Sequence, residues 1–157
     1  MINVITVLSK YVILTLMIVY TFHCFYMVWR QDEEEKRELL HQQLTMIFFI
    51  DFTAFLVIYL KSMDFRVILF YIEMMIFFAA IQILYRIIYP NASLLLLNNM
   101  CMLLCIGMIM LTRLNYEKAV KQYVIAAGAI AVSFVVPVII RKFKKLSEWR
   151  NLYAIAG

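Results

Sequence analysis

A chain of 157 residues that is 66% hydrophobic, with a mean hydropathy of +0.87, carries more apolar surface than a soluble core of that length encloses. Its net charge of +5 does not point to nucleic acid, because the basic residues fall between apolar runs, where they set membrane topology. The runs are continuously apolar and do not alternate as barrel strands do, so the composition predicts an all-α, polytopic transmembrane bundle of five spans plus the start of a sixth.

Met1 to Lys10 reads as a short polar lead-in and Tyr11 to Trp29 as the first span, long enough to cross a hydrocarbon core. No small-residue cleavage site follows it, so it is not a signal peptide. Trp29 and Arg30 are an aromatic and a cation placed for the interface. His23 reads as a neutral side chain packed against a neighbouring helix, with proton carriage as the alternative.

Gln31 to Gln43, QDEEEKRELLHQQ, is the one strongly charged stretch. Its spacing predicts the i,i+4 pairs Asp32–Lys36 and Glu33–Arg37 on a water-exposed helix that extends or joins the first two spans. Such a helix is a solvated link or a docking site.

Leu44 to Leu60 is the second span, Lys61 to Asp64 a tight turn, and Phe65 to Tyr89 the third span. Asp51 and Glu73 lie well inside these two spans. A carboxylate at the bilayer centre costs about 2.5–3.5 kcal/mol on insertion scales, so each needs a partner, a cavity or a proton. At a rise of about 1.5 Å per residue both sit on the order of 10–14 Å from the turn, at similar depth. Neutral interhelical hydrogen bonds and an ion or proton path are the two readings of this pair.

Tyr89-Pro90-Asn91 ends the third span, since proline disfavours helix in the residue before it. Asn91-Ala92-Ser93 matches a glycosylation sequon, which carries no weight in a short loop expected to face the cytoplasm. Ala92 to Leu111 is the fourth span. Asn98 and Asn99, near its start, are expected to hydrogen-bond to a neighbouring helix, a contact of about 0.6–2 kcal/mol. Cys101 and Cys105 share one helix face and read, with Cys24, as packed free thiols. No histidine or acid stands beside them at ligand spacing, so neither a metal nor another cofactor is expected.

Thr112 and Arg113 are expected to break this helix and open a polar tip, Thr112 to Lys121. Gln122 to Ile140 is the fifth span, in which Gly128 with Ala126, Ala127, Ala129 and Ala131 would allow close helix approach. Pro137 stands near its end, where a kink costs least. Arg141 to Arg150, RKFKKLSEWR, is a basic loop, and Leu152 to Gly157 reads as a further helix cut short. Lysine and arginine are more frequent on the side of Arg37, Arg86 and this basic loop, which places that side in the cytoplasm and both the amino terminus and the tip outside.

The stretch IGMIMLTRL, a short polar tip, Lys121-Gln122, a small-residue span, a basic loop and a Tyr-Ala-Ile-Ala-Gly restart resemble the opening of the FtsW/RodA/SpoVE family, the SEDS proteins. The resemblance covers roughly residues 98–157, on the Gly-hydrophobic-Met pattern within Ile106 to Leu111 and on Lys121-Gln122. It implies two parts: 1–90, a three-span amino-terminal extension like that of clostridial-type members, and 91–157, the first helices of the membrane core. It also implies polymerisation of a lipid-linked peptidoglycan precursor at the outer face of the bacterial cytoplasmic (inner) membrane. The implied partner is a class B penicillin-binding transpeptidase, in division, elongation or sporulation. The family's catalytic acid and its Gln-Pro-Ser-Glu motif belong to later positions, so no catalytic residue is expected here and these residues alone are expected to be inactive.

Arg113 and Lys121 would stand at the outer interface, as contacts to the precursor's pyrophosphate or as ordinary interfacial anchors. Two other functions stay open. One is a non-enzymatic membrane interaction protein that docks through 31–43 and 141–150. The other is a small transporter using Asp51 and Glu73, for which the sequence offers no internal repeat.

Overall fold

The computed structural model describes residues 2–29, 32–90 and 92–142. Among them run five α-helices: α1 (Ile2–Trp29), α2 (Glu33–Ser62), α3 (Phe65–Ile88), α4 (Leu94–Leu114) and α5 (Tyr116–Lys142). Each is long and apolar enough to cross a membrane, and no strand occurs among the described residues. The chain is a multi-pass helical membrane protein. Most of the basic loop and the expected sixth helix fall in 143–157, outside the described residues.

The helix ends differ from expectation for local reasons. The lead-in is helical from Ile2, and the Ser9 hydroxyl satisfies itself on the Ile5 carbonyl at 2.7 Å, so it does not break the turn. The charged stretch and the second span form one helix, α2. Asp32 caps it, its Oδ1 accepting from the Glu34 N–H at 3.0 Å, and Glu33, Glu34 and Glu35 favour the positive end of the helix dipole. Because Asp32 serves as the cap, Lys36 pairs with Glu33 at 2.9 Å, an i,i+3 contact in place of the two expected i,i+4 pairs.

Met63 ends α2 in the left-handed region at φ 50°, with its N–H on the Tyr59 carbonyl at 2.7 Å, a closure more often made by glycine. Asp64 then caps α3 through the Arg66 N–H at 2.9 Å. Ser93, the last residue of the sequon, caps α4.

The expected break at Thr112 and Arg113 is absent. The Thr112 hydroxyl bonds to the Met108 carbonyl at 2.7 Å and the helix continues to Leu114. Asn115 alone separates α4 from α5. Its N–H closes α4 on the Leu111 carbonyl, and its Oδ1 accepts from the Lys118 N–H at 3.1 Å. The tip is a one-residue corner between two helices, not a polar loop.

The chain divides into a compact unit ending at Lys118 and a second beginning at Ala119. In the first unit α2 is central and packs against α1, α3 and α4, while α3 also touches α4. Its core is built from Ile47, Ile50 and Phe55 of α2, Phe70, Met74, Phe78 and Ile81 of α3, and Cys101, Cys105 and Met108 of α4. Phe55 lies between the rings of Phe70 and Tyr71, at 6.0 and 5.7 Å. Large apolar side chains also cover the outer faces, as lipid requires. In the second unit, nothing lies within 4 Å of where a Cβ on Gly128 would stand, so this glycine makes no close helix crossing here.

Candidate functional site

Asn98 and Asn99 are consecutive on α4, about 100° apart around the helix, and serve different neighbours. Asn98 is buried and fully used. Its Nδ2 donates to the Leu40 carbonyl at 3.1 Å and to Gln43 Oε1 at 3.3 Å, and its Oδ1 accepts from Gln82 Nε2 at 2.9 Å. Asn99 turns to α1, where its Oδ1 accepts from the Tyr20 hydroxyl at 2.9 Å and the Cys24 thiol at 3.3 Å. Gln43 closes the circuit by donating Nε2 to Cys24 Sγ at 3.3 Å. Gln82 also reaches Cys101 Sγ at 3.8 Å.

One hydrogen-bonded layer thus joins α1, α2, α3 and α4. Both asparagines make interhelical contacts, and both reach helices of the first 90 residues. Tyr20 and Cys24 stand at i,i+4, on one face of α1. Gln43 lies ten residues into α2 and Asn98 four residues into α4, and the hydrogen bond between them sets the two at one level. Sequence reasoning missed Gln43 and Gln82 as members. The available signal was a lone amide inside FFAAIQILYR and another directly before the second apolar run.

Asp51 lies two turns further along α2 and Cys105 two turns further along α4, roughly 10–12 Å from the first layer. Both are fully buried, and the Cys105 thiol donates to Asp51 Oδ1 at 3.5 Å. Asp51 Oδ2 has no hydrogen-bond partner, and neither has Gln82 Oε1 or His23 Nδ1. His23 itself is half-buried. The three cysteines are free.

Glu73 is separated from Asp51 in setting, though not in depth. Asp51 is enclosed by the core, whereas Glu73 is exposed on the outward side of α3. The two carboxyls therefore do not line one path. Arg113 is exposed in the last turn of α4, and Lys121 is exposed in the first turns of α5. They belong to different units of the chain.

A shallow, open hollow of about 550 Å³ on α1 is lined by Phe22, Phe25, Tyr26 and Trp29. No carboxylate, histidine or thiol lines it, and its rings suit a membrane interface. Among the described residues no three histidine, cysteine or acidic side chains gather as a metal site would require. What the arrangement does chemically is bind helices to one another: side-chain amides satisfy each other where neither water nor lipid can satisfy them. Compared with family models, with curated proteins and with solved structures, the chain matches none.

Proposed function

We propose that these residues are the amino-terminal membrane scaffold of a SEDS-type peptidoglycan glycosyltransferase, with the reacting groups on later helices of a longer chain. The observation that supports a scaffold is the amide layer. Asn98 and Asn99, on the helix that resembles the family's first, hydrogen-bond to all three helices of the extension. The extension is therefore built into the bundle and is not a tether beside it. The carboxyls fit a scaffold better than a transporter, since Asp51 is sealed in the core and Glu73 faces away from it.

In this reading the amino terminus and the α4–α5 corner face outward, and the acidic start of α2 faces the cytoplasm. Arg113 and Lys121, both exposed, then stand on the side where an anionic lipid-linked precursor is handled. The test is polymerisation of a fluorescent lipid-linked precursor by the longer protein together with a class B transpeptidase. The expected product is a ladder of glycan strands; its absence with a competent transpeptidase present contradicts the reading. In the same assay Arg113→Ala with Lys121→Ala should weaken precursor affinity by about fivefold, as two exposed charge contacts would. Unchanged affinity removes the phosphate role from this pair.

A further inference from the structure

We propose that Asp51 is a proton-binding site built into the core, and that the proton it holds keeps α4 closed against α2. When the proton leaves, the two helices part on the Met63 side of Asp51 and hinge on the amide layer. The inference does not depend on the enzymatic reading above.

Asp51 is fully buried. Its Oδ2 has no hydrogen-bond partner, and its Oδ1 takes only the Cys105 thiol at 3.5 Å. Its surroundings supply no positive charge. On α3, Tyr71 stands in its electrostatic surroundings, half-buried against the rings of Phe52 and Phe55 at 6.1 and 5.7 Å, while Glu73 is exposed on the outward side. On α4 the facing groups are Cys105 and, one turn before it, Cys101. α1 carries no acid; its Lys10 is exposed, and its His23 stands next to Cys24, at the level of Gln43 and so about 12 Å along α2 from Asp51. Within α2 no other charged residue lies between His41 and Lys61. Among the described residues none forms an ion pair with Asp51.

The unpartnered oxygen identifies the ligand. An apolar core with no cation in it does not hold a bare carboxylate, because the lost hydration outweighs what one thiol returns. A proton fits without a cavity or further ligands: it makes the group a neutral carboxyl whose Oδ1 still accepts from Cys105. Losing that proton restores the charge, and the charge needs water. The bundle is not equally able to yield on both sides of Asp51. On one side Asn98 fastens α4 to α2 through the Leu40 carbonyl and Gln43. On the other, from Asp51 to Met63, no hydrogen bond joins α2 to α4 among the described residues. Thr112, the buried hydroxyl on that part of α4, is spent on the Met108 carbonyl of its own helix. Contact there is apolar packing alone, so that half opens first and the amide layer is the hinge.

The test uses the full chain in phosphatidylethanolamine–phosphatidylglycerol vesicles, with Cys24, Cys101 and Cys105 replaced by serine, which keeps a donor at position 105. One buried reporter is then added, either Met108→Cys on the opening side or Leu97→Cys beside the amide layer, and its reaction with a water-soluble methanethiosulfonate is timed. As the pH is raised, Met108→Cys should come to react about tenfold faster than the same reporter combined with Asp51→Asn, which keeps the side chain's shape and has no such proton to lose. Ionisation of the reporter thiol is common to both chains and cancels in the ratio. A charge on Asp51 acting on the thiol directly would slow the reaction, so the sign separates opening from that effect. The ratio for Leu97→Cys should not change. Infrared spectra of the unsubstituted chain, which need no reporter, should show a protonated-carboxyl band that Asp51→Asn removes and that fades over the same rise in pH. Equal pH profiles with and without Asp51→Asn overturn the proposal, as does a carboxyl band that Asp51→Asn leaves unchanged. Equal acceleration at Leu97→Cys and Met108→Cys overturns the hinge.

Discussion

Asn98→Leu should lower the unfolding free energy of the bundle by about 2–3 kcal/mol in a bilayer or bicelle. The substitution removes three hydrogen bonds at once, to the Leu40 carbonyl, Gln43 and Gln82. It also leaves the Gln82 amide with only the 3.8 Å contact to Cys101, and Gln43 Oε1 without its donor. A single interhelical hydrogen bond in a membrane is worth about 0.6–2 kcal/mol, and stranding a buried partner adds to the loss. Asn99→Leu should cost less, about 1 kcal/mol, because its partners Tyr20 and Cys24 are on the more exposed α1 and Cys24 keeps its contact with Gln43. Steric-trapping or detergent-titration unfolding of the full chain measures both. A loss below about 0.5 kcal/mol for Asn98→Leu means that the layer contributes little to holding α4 in place.

Asp51→Val should go the other way and stabilise the bundle by about 1 kcal/mol. Asp51 sits wholly inside an apolar core with one oxygen unpartnered and the other held only by a thiol at 3.5 Å. Replacing a poorly satisfied buried polar group by an apolar one is commonly neutral or favourable. The added methyl volume offsets part of the gain. The same unfolding assay reads the change. A stabilised protein that has lost its activity assigns Asp51 a functional role, because a residue kept against stability is kept for chemistry or motion. A destabilised one shows that the Asp51–Cys105 contact is stronger than its length implies.

The five spans were legible because lipid demands continuous apolar helices, and nothing else in the chain produces such runs. The asparagine pair was legible for the complementary reason, that an amide in an apolar run has few ways to be satisfied. The rotational phase of each helix was not. A span that is apolar all round carries no amphipathic face to orient it. Residue counting therefore gives Asp51 and Glu73 a similar depth but no shared face, and packing puts one inside and the other outside. Phase also decided which of many polar residues would join the layer, so Gln43 and Gln82 escaped notice. At Thr112 and Arg113 polarity predicts a break that the helix does not make. A threonine hydroxyl that bonds back to the carbonyl four residues earlier leaves the backbone helical.

The central claim is that α4 is fastened to the three helices before it by side-chain amides, and a double-mutant cycle between Asn98 and Gln43 tests it most directly. Asn98→Ala, Gln43→Ala and the double variant, compared by unfolding of the full chain in bicelles, should give a coupling of about 0.6–1.7 kcal/mol. Strict additivity of the two substitutions would contradict the account.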